Sequence, residues 1–112
     1  MRKKFIFSEE LNTEEAGKGI KRMIMGFDDN LMMVRVDFEK NAVGALHSHV
    51  HSQATYVLKG LFEITIDGET KTLNKDDSFF VAPDLIHGAV CLEEGTLIDV
   101  FNPARKDFLT AG

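Results

Sequence analysis

Three of the four histidines in the sequence lie within five residues, at His47, His49 and His51, and Gln53 continues the same alternation. Side chains at every second position of an extended strand point to one face of the sheet. Several imidazoles on one buried face would be costly without partners, and neutral imidazole is the commonest protein ligand of metal ions. The spacing therefore predicts a metal site, with a cluster of surface histidines on an edge strand as the alternative.

His51 shares the parity of the other members of this cluster. Three successive alternate positions span about 13 Å at roughly 3.3 Å per residue, which is too far for one ion without a sharp bend. We therefore expect His51 at the rim of a cavity or behind the ligands, with a solvated histidine as the alternative.

Asp99 lies among apolar residues in the segment 97–101 and shares its strand parity with Phe101. Burial raises the pKa of a carboxyl group, whereas a nearby cation lowers it. Asp99 is therefore a candidate general acid or base. The alternative is a structural aspartate that is paired with a basic neighbour.

Arg105 follows Pro103 near the end of the same segment. A planar guanidinium can hold a carboxylate with two parallel hydrogen bonds, so Arg105 is a candidate substrate-binding residue, with an ordinary surface arginine as the alternative.

Cys91 is the only cysteine, and we expect it to be a small buried apolar residue rather than a nucleophile.

Composition excludes several classes of function. The net charge is −5, which argues against a nucleic-acid surface. A single cysteine forms no intramolecular disulfide, which fits a cytoplasmic protein. The basic N-terminus lacks the apolar stretch of a signal peptide, and no apolar run is long enough to span a membrane. The length of 112 residues predicts one domain over 1–112, with a core at about 19–103, an arm at 1–18 and a tail at 104–112.

Short alternating segments separated by turn residues fill most of the chain. The clearest is 32–38, and Asp67-Gly68 is a strong signal for a type I′ hairpin. Residues 8–18 are interpreted as a loop or helical turn, and 103–109 as a possible helical turn. Other strands are predicted at 20–25, 44–51, 54–58, 62–66, 70–73, 78–82, 88–92 and 96–101. Nine or ten short strands of this kind indicate an all-β antiparallel sandwich or barrel.

Two motifs resemble those of the cupins. The first consists of Gly44, His47, His49, Gln53, Tyr56 and Gly60, and the second covers 76–87 and ends at His87. The resemblance implies a small jelly-roll barrel with a metal in its mouth. Gln53 replaces the usual Glu, and Cys91 replaces the usual Asn. Asp76, Ala82 and Asp84 replace a glycine, a proline and a glycine of the second motif.

A narrower resemblance, from about residue 19 to 109, is to the KdgF-type cupins of pectin and alginate degradation. It is carried by 19–22, 31–34, 47–49, 56–58 and 97–101. That family has Gln as its fourth ligand. The resemblance implies a homodimer, and it implies roles in the active site for Asp99 and Phe101. The implied metal ligands are His47, His49, Gln53 and His87.

The resemblance also implies an activity, which is the opening of 4,5-unsaturated monouronates to linear 4-deoxy-5-keto uronates. The cofactor would be one divalent ion, namely Zn, Ni, Fe or Mn. Asp99 would move the proton or activate water, Phe101 would pack on the sugar ring, Arg105 would hold the carboxylate, and His51 would lie beside the substrate at the rim. The alternatives are a small metal-dependent cupin dioxygenase and a non-catalytic sugar-binding or sensing module.

Overall fold

The computed structural model describes residues 3–109, which form eight strands and two short helical segments. A 3-10 helix at Ser8–Glu10 is followed by β1 (Glu14–Gly17), β2 (Ile20–Phe27), β3 (Met32–Phe38), β4 (Val43–His47), β5 (Ser52–Ile66), β6 (Glu69–Asn74), β7 (Ser78–Val81), β8 (His87–Asn102) and α1 (Lys106–Leu109).

All paired strands are antiparallel, in the order β1-β2-β3-β8-β5-β6, with β4 on β8 and β7 on β5. The first part of β8 pairs with β4 and the second part with β3, while β5 follows β8 along nearly its whole length. These two long strands therefore join the rest of the sheet into one barrel-like fold. The prediction of an all-β antiparallel protein is confirmed.

The prediction of nine or ten short strands was wrong, because β5 and β8 are single strands of 15 and 16 residues. Gly60 does not end a strand. It has a φ of 92°, and a Cβ at Gly60 would lie 2.6 Å from Cα of Gly95. Only glycine permits this close crossing, and the register of the two strands shifts here as in a β-bulge. The chain bends at the crossing without leaving the sheet.

The turn that joins β5 to β6 is the one that the sequence predicts. Asp67 and Gly68 have φ values of 49° and 82°, and the flanking residues Ile66 and Glu69 are paired. A type I′ turn requires positive φ at both central positions, so this prediction is confirmed. The predicted helical turn in the tail is α1.

The N-terminal arm differs from its prediction in one respect. The 3-10 helix lies inside the predicted loop or helical turn at 8–18, but β1 was not predicted. This edge strand pairs with β2, and its residues are mostly exposed. A strand of that kind has no alternation of apolar and polar residues, so the sequence carries no signal for it.

The core lies under the alternating strands. The inward residues of β3 are Met32, Val34, Val36 and Phe38. Phe38 meets Phe62 edge to face at 5.2 Å between ring centroids, an arrangement that aromatic pairs favour. Cys91 is fully buried, and burial raises the pKa of its thiol. The interpretation of Cys91 as a buried apolar residue is therefore confirmed.

The outer surface carries exposed apolar side chains on β5 and β7, among them Tyr56, Leu58 and Phe80. The predicted homodimer stays a prediction.

Between residues 3 and 109, none of the helical segments has the length and apolar character needed to span a bilayer.

Candidate metal centre and active-site cavity

Three histidines meet at one end of the barrel. His47 ends β4 and His87 begins β8, and the two are register partners in the sheet. His49 lies in the connection between β4 and β5, so the strand predicted over 44–51 was wrong beyond His47. Each offers one ring nitrogen, and these atoms all lie within 4.8 Å of one another. The three residues could therefore hold one metal ion.

The three rings are oriented in the same way. Each Nδ1 lies at hydrogen-bonding distance from a backbone carbonyl two residues away along the chain. These carbonyls are Ala45 for His47 (2.8 Å), His51 for His49 (3.1 Å) and Leu85 for His87 (3.0 Å). A carbonyl can only accept, so the rings of His47 and His87 carry the hydrogen on Nδ1 and the lone pair on Nε2. Protein ligands that bind metal through imidazole are usually held by such a second contact.

The side-chain oxygen of Gln53 faces the three histidines. Its Nε2 donates to the Thr55 hydroxyl at 3.0 Å, which leaves Oε1 on the side of the histidines, 3.0 Å from Nε2 of His49. If His49 carries its hydrogen on Nδ1, as His47 and His87 do, the two facing atoms are both acceptors. Two acceptors at this distance repel each other unless a cation lies between or beside them. The orientation therefore fits a site for a positive ion.

The environment of His87 also fits a metal site. The residue is only 4% exposed, and its Nε2 is buried without a hydrogen-bond partner in the described part of the chain. Burial is the main cause that lowers the pKa of His87, which favours the neutral ring that binds metal. A buried nitrogen lone pair without a donor is costly, and a metal ion would satisfy it.

Asp99 lies on β8, and its register partner on β5 is Thr55. The Thr55 hydroxyl donates to Oδ1 of Asp99 at 2.7 Å, and Nε2 of Gln53 lies 3.4 Å from the same oxygen. Protein atoms surround the carboxyl group although the residue is partly exposed, and this burial raises the pKa of Asp99 to about 6 in the metal-free chain. The hydrogen bond from Thr55 is the largest opposing effect.

Six of the eight predicted site residues, all except His49 and His51, line one cavity of about 230 Å³. Its walls include His47, Gln53, His87, Asp99, Phe101 and Arg105. The volume is below the roughly 300–1,000 Å³ that is typical of sites for drug-sized ligands, so the cavity suits a small molecule. The cavity therefore brings His47, Gln53 and His87 together with Asp99 and Arg105, and the roles assigned to these residues stay predictions.

Arg105 lies in the wall, with 13% of its side chain exposed. Its Nε and Nη2 donate to both carboxylate oxygens of Asp107 at 3.0 and 2.8 Å. The guanidinium also lies 4.1 Å from the centroid of the Phe108 ring and 5.1 Å from that of Phe101. Arg105 is therefore not a free surface arginine. However, Asp107 already occupies two of its hydrogen-bond donors, Nε and Nη2.

His51 is set apart from the other histidines. It is not a member of the three-histidine cluster, and it lines a different surface cavity together with Asp29 and Pro103. Its backbone carbonyl accepts the hydrogen bond from His49, and its ring lies 5.4 Å from the ring of His49. The expectation that His51 lies behind the ligands agrees with this placement. The predicted contact of His51 with the substrate stays a prediction that the placement does not favour.

Sequence reasoning missed three residues of the site. Thr55, Phe108 and Arg22 were not singled out, yet Thr55 links Gln53 to Asp99, and the other two line the cavity. Thr55 continues the alternation that starts at His47, which is a signal that could have identified it. Arg22 and Phe108 come from opposite ends of the chain and carry no local signal.

Comparison with known proteins agrees with this geometry. A sequence model of the cupin domain matches residues 34–101. The pectin degradation protein KdgF of Dickeya dadantii (strain 3937) is 48% identical over 111 residues, which cover 97% of this chain and 100% of the relative.

Two solved structures are similar along nearly the whole chain. An RmlC-like cupin from Shewanella frigidimarina has a TM-score of 0.92 and 48% identity, with coverage of 95% of this chain and 96% of that one. KdgF from Halomonas sp. has a TM-score of 0.90 and 37% identity, with coverage of 95% and 98%. The chain therefore belongs to the cupin family and, within it, to the family of the KdgF pectin degradation proteins.

Proposed function

We propose that this protein acts in pectin degradation as an enzyme that opens 4,5-unsaturated monouronates to linear 4-deoxy-5-keto uronates. The observation that carries the proposal is the placement of Asp99. It lines the same small cavity as the histidine cluster and is joined to that cluster through Thr55 and Gln53. The relative named as a pectin degradation protein supports a substrate derived from pectin.

The proposed metal ligands are His47, His49, Gln53 and His87. Their support is the common orientation of the three rings, the orphaned Nε2 of His87 and the direction of Oε1 of Gln53. A bound divalent ion would act as a Lewis acid that orients and polarises oxygen atoms of the sugar. Nitrogen and neutral oxygen ligands suit Zn, Ni, Fe or Mn.

The reaction needs one proton to move from oxygen to carbon. When the C1 hydroxyl loses its proton, C1 becomes an aldehyde and the bond from C1 to the ring oxygen breaks. The ring oxygen stays bonded to C5 and becomes the oxygen of a ketone. At the same time the C4=C5 double bond becomes a single bond and C4 gains the proton. Product and substrate are isomers, so neither oxidant nor water is consumed.

Asp99 is the group that we assign to this proton transfer. A carboxyl group with a pKa of about 6 can accept a proton and return it near neutral pH. The Thr55 hydroxyl donates to Oδ1, which fixes the carboxyl group and leaves Oδ2 for the substrate. The place of Asp99 in the cavity wall and the raised pKa of its carboxyl group support this assignment.

The remaining walls of the cavity would bind the sugar. Phe101 is buried, lines the cavity and lies 5.7 Å from the ring of His49 between centroids, so it can pack on the face of the sugar ring. Arg105 supplies positive charge for the uronate carboxylate, although Asp107 occupies part of its donor edge.

The test follows the conjugated C=C of unsaturated galacturonate in the ultraviolet, with metal-loaded protein and with protein treated with a chelator. We expect rapid loss of absorbance with the metal-loaded protein only, and no uptake of oxygen in a parallel electrode measurement. Decay no faster than in buffer would refute the activity. Uptake of oxygen in step with the decay would indicate a dioxygenase instead.

A further inference from the structure

Arg22 is a second arginine in the wall of the active-site cavity. It lies on β2, lines the cavity together with His47, Asp99 and Arg105, and has 21% of its side chain exposed. Its guanidinium lies 3.8 Å from the centroid of the Phe108 ring. Arg22 therefore enters the cavity from the strand layer, whereas Arg105 enters it from the C-terminal segment.

The hydrogen-bond donors of Arg22 are poorly satisfied. A guanidinium has five N–H donors. Nε of Arg22 is buried without a partner among residues 3–109, and Nη2 has only the carboxylate of Glu14, at 3.4 Å. Charge-assisted hydrogen bonds are normally about 2.7–2.9 Å long. By contrast, Arg105 donates at 3.0 and 2.8 Å to Asp107.

The two guanidinium groups also share one aromatic ring. Arg22 and Arg105 lie 3.8 and 4.1 Å from the centroid of Phe108. Two like charges on one ring repel each other, and the carboxylate of Glu14 lies 3.4 Å from Arg22, whereas that of Asp107 lies 2.8 Å from Arg105. An anionic group placed at Arg22 would use the donors that remain idle beside Glu14.

We propose that Arg22 binds the carboxylate of the substrate and thereby determines the preference for acidic sugars. This inference rests on the proposed uronate substrate and names a residue that selects it. Arg105, held by Asp107, adds positive potential beside the carboxylate, and Phe108 keeps both guanidinium planes in place.

The test compares the binding of D-galacturonate and its methyl ester to the metal-loaded, full-length protein by calorimetry. These two sugars lack the double bond, so binding is measured without turnover, and they differ in the charge of the carboxyl group and by one methyl group. In the wild type we expect the acid to bind more tightly than the ester. Arg22→Met, which keeps the alkyl stem, should weaken binding of the acid by about 30-fold and leave that of the ester nearly unchanged.

Lys21→Met is the matched control. It removes the same charge from the neighbouring position of β2, but Lys21 is exposed and lines a different cavity. It should leave the preference for the acid unchanged. Arg22→Lys keeps the charge without the planar donor edge, and it should lower the ratio of the two affinities several-fold. That variant carries the test if Arg22→Met fails to fold.

The outcomes separate this inference from the proposed function. A wild type without preference for the acid, or Arg22 variants with the preference of the wild type, would overturn the role of Arg22 even if the enzyme opens unsaturated galacturonate. A preference that depends on Arg22, in a protein that leaves the unsaturated sugar intact, would support Arg22 as the carboxylate ligand and refute the ring-opening activity.

Discussion

Two parts of the cavity wall are built in different ways. The histidine face consists of His47, His49, His87 and Gln53, and the arginine face consists of Arg22, Arg105 and Phe108. On the histidine face, backbone carbonyls hold the three rings and a buried threonine holds the glutamine. On the arginine face, side chains stack on one another, and one of them belongs to the four-residue helix α1.

This difference predicts different roles for the two faces, metal binding for one and substrate binding for the other. Ligands that are fixed by the backbone keep their geometry before the ion arrives, which lowers the cost of ordering on binding. Stacked side chains on a short terminal helix can adjust to a ligand at little cost, because few contacts hold them. We therefore expect changes on the histidine face to abolish the site and changes on the arginine face to weaken binding.

The largest effect is expected from His87→Ala on the histidine face. It removes a buried ligand and should abolish turnover and reduce metal content from one ion per chain to nearly none, as measured by elemental analysis of dialysed protein. The gain in melting temperature on addition of metal should disappear with it. His51→Ala is the control, because His51 lies outside the cluster, and it should keep the ion. Loss of metal in both variants would contradict the assignment.

The next effect concerns Asp99, which lies between the two faces. Asp99→Asn should lower kcat by about 100-fold to 10,000-fold, as expected for loss of a general acid–base group, while metal content stays at one ion per chain. Steady-state kinetics with unsaturated galacturonate measures this. Asp37→Asn is a matched control, since Asp37 also accepts a 2.7 Å hydrogen bond from a threonine hydroxyl, that of Thr96, but lines another cavity. Equal losses in the two variants would indicate a structural role.

Phe108→Ala tests the arginine face. Loss of the ring removes the contacts with both guanidinium groups and the edge-to-face contact with Phe101 at 5.8 Å. We expect KM to rise several-fold, metal content to stay unchanged, and the free energy of unfolding to fall by about 1–3 kcal/mol. Leu109→Ala, at the neighbouring exposed position, controls for general weakening of α1. A variant of Phe108 that loses its metal would show that the two faces are not separate.

The smallest effect is the pH dependence of the pair formed by Arg105 and Asp107. The hydrogen bond from Arg105 lowers the pKa of Asp107, so the pair stabilises the fold above the pKa of the unfolded chain. That contribution is lost as the pH falls through the lower, folded pKa. Urea midpoints of wild type and Asp107→Asn should differ slightly at neutral pH and converge in acid. A difference that grows as the pH falls would contradict this sign. The effect is small because 59% of the Asp107 side chain is exposed.

The histidine face could be predicted from the sequence because its information is local. His47, His49 and Gln53 lie within seven residues, and the resemblance of the second motif supplied His87. The β alternation and the Asp67-Gly68 turn are equally local signals.

The arginine face could not be predicted, because it depends on contacts between distant parts of the chain. Arg22 lies on β2 and Phe108 on α1, near opposite ends of the chain, and the two meet only in the folded structure. The continuity of β5 and β8 was missed for the same reason. Gly60 indicates a strand end until its close approach to Gly95 is known.

The most direct test of the account is an NMR time course of unsaturated galacturonate in D2O with the metal-loaded protein. We predict conversion to the linear 5-keto acid with one solvent deuteron placed stereospecifically at C4, and loss of this conversion in Asp99→Asn with its metal retained. Unchanged substrate would contradict the central claim. Equal labelling of both positions at C4 would contradict the assignment of Asp99 as the group that delivers the proton.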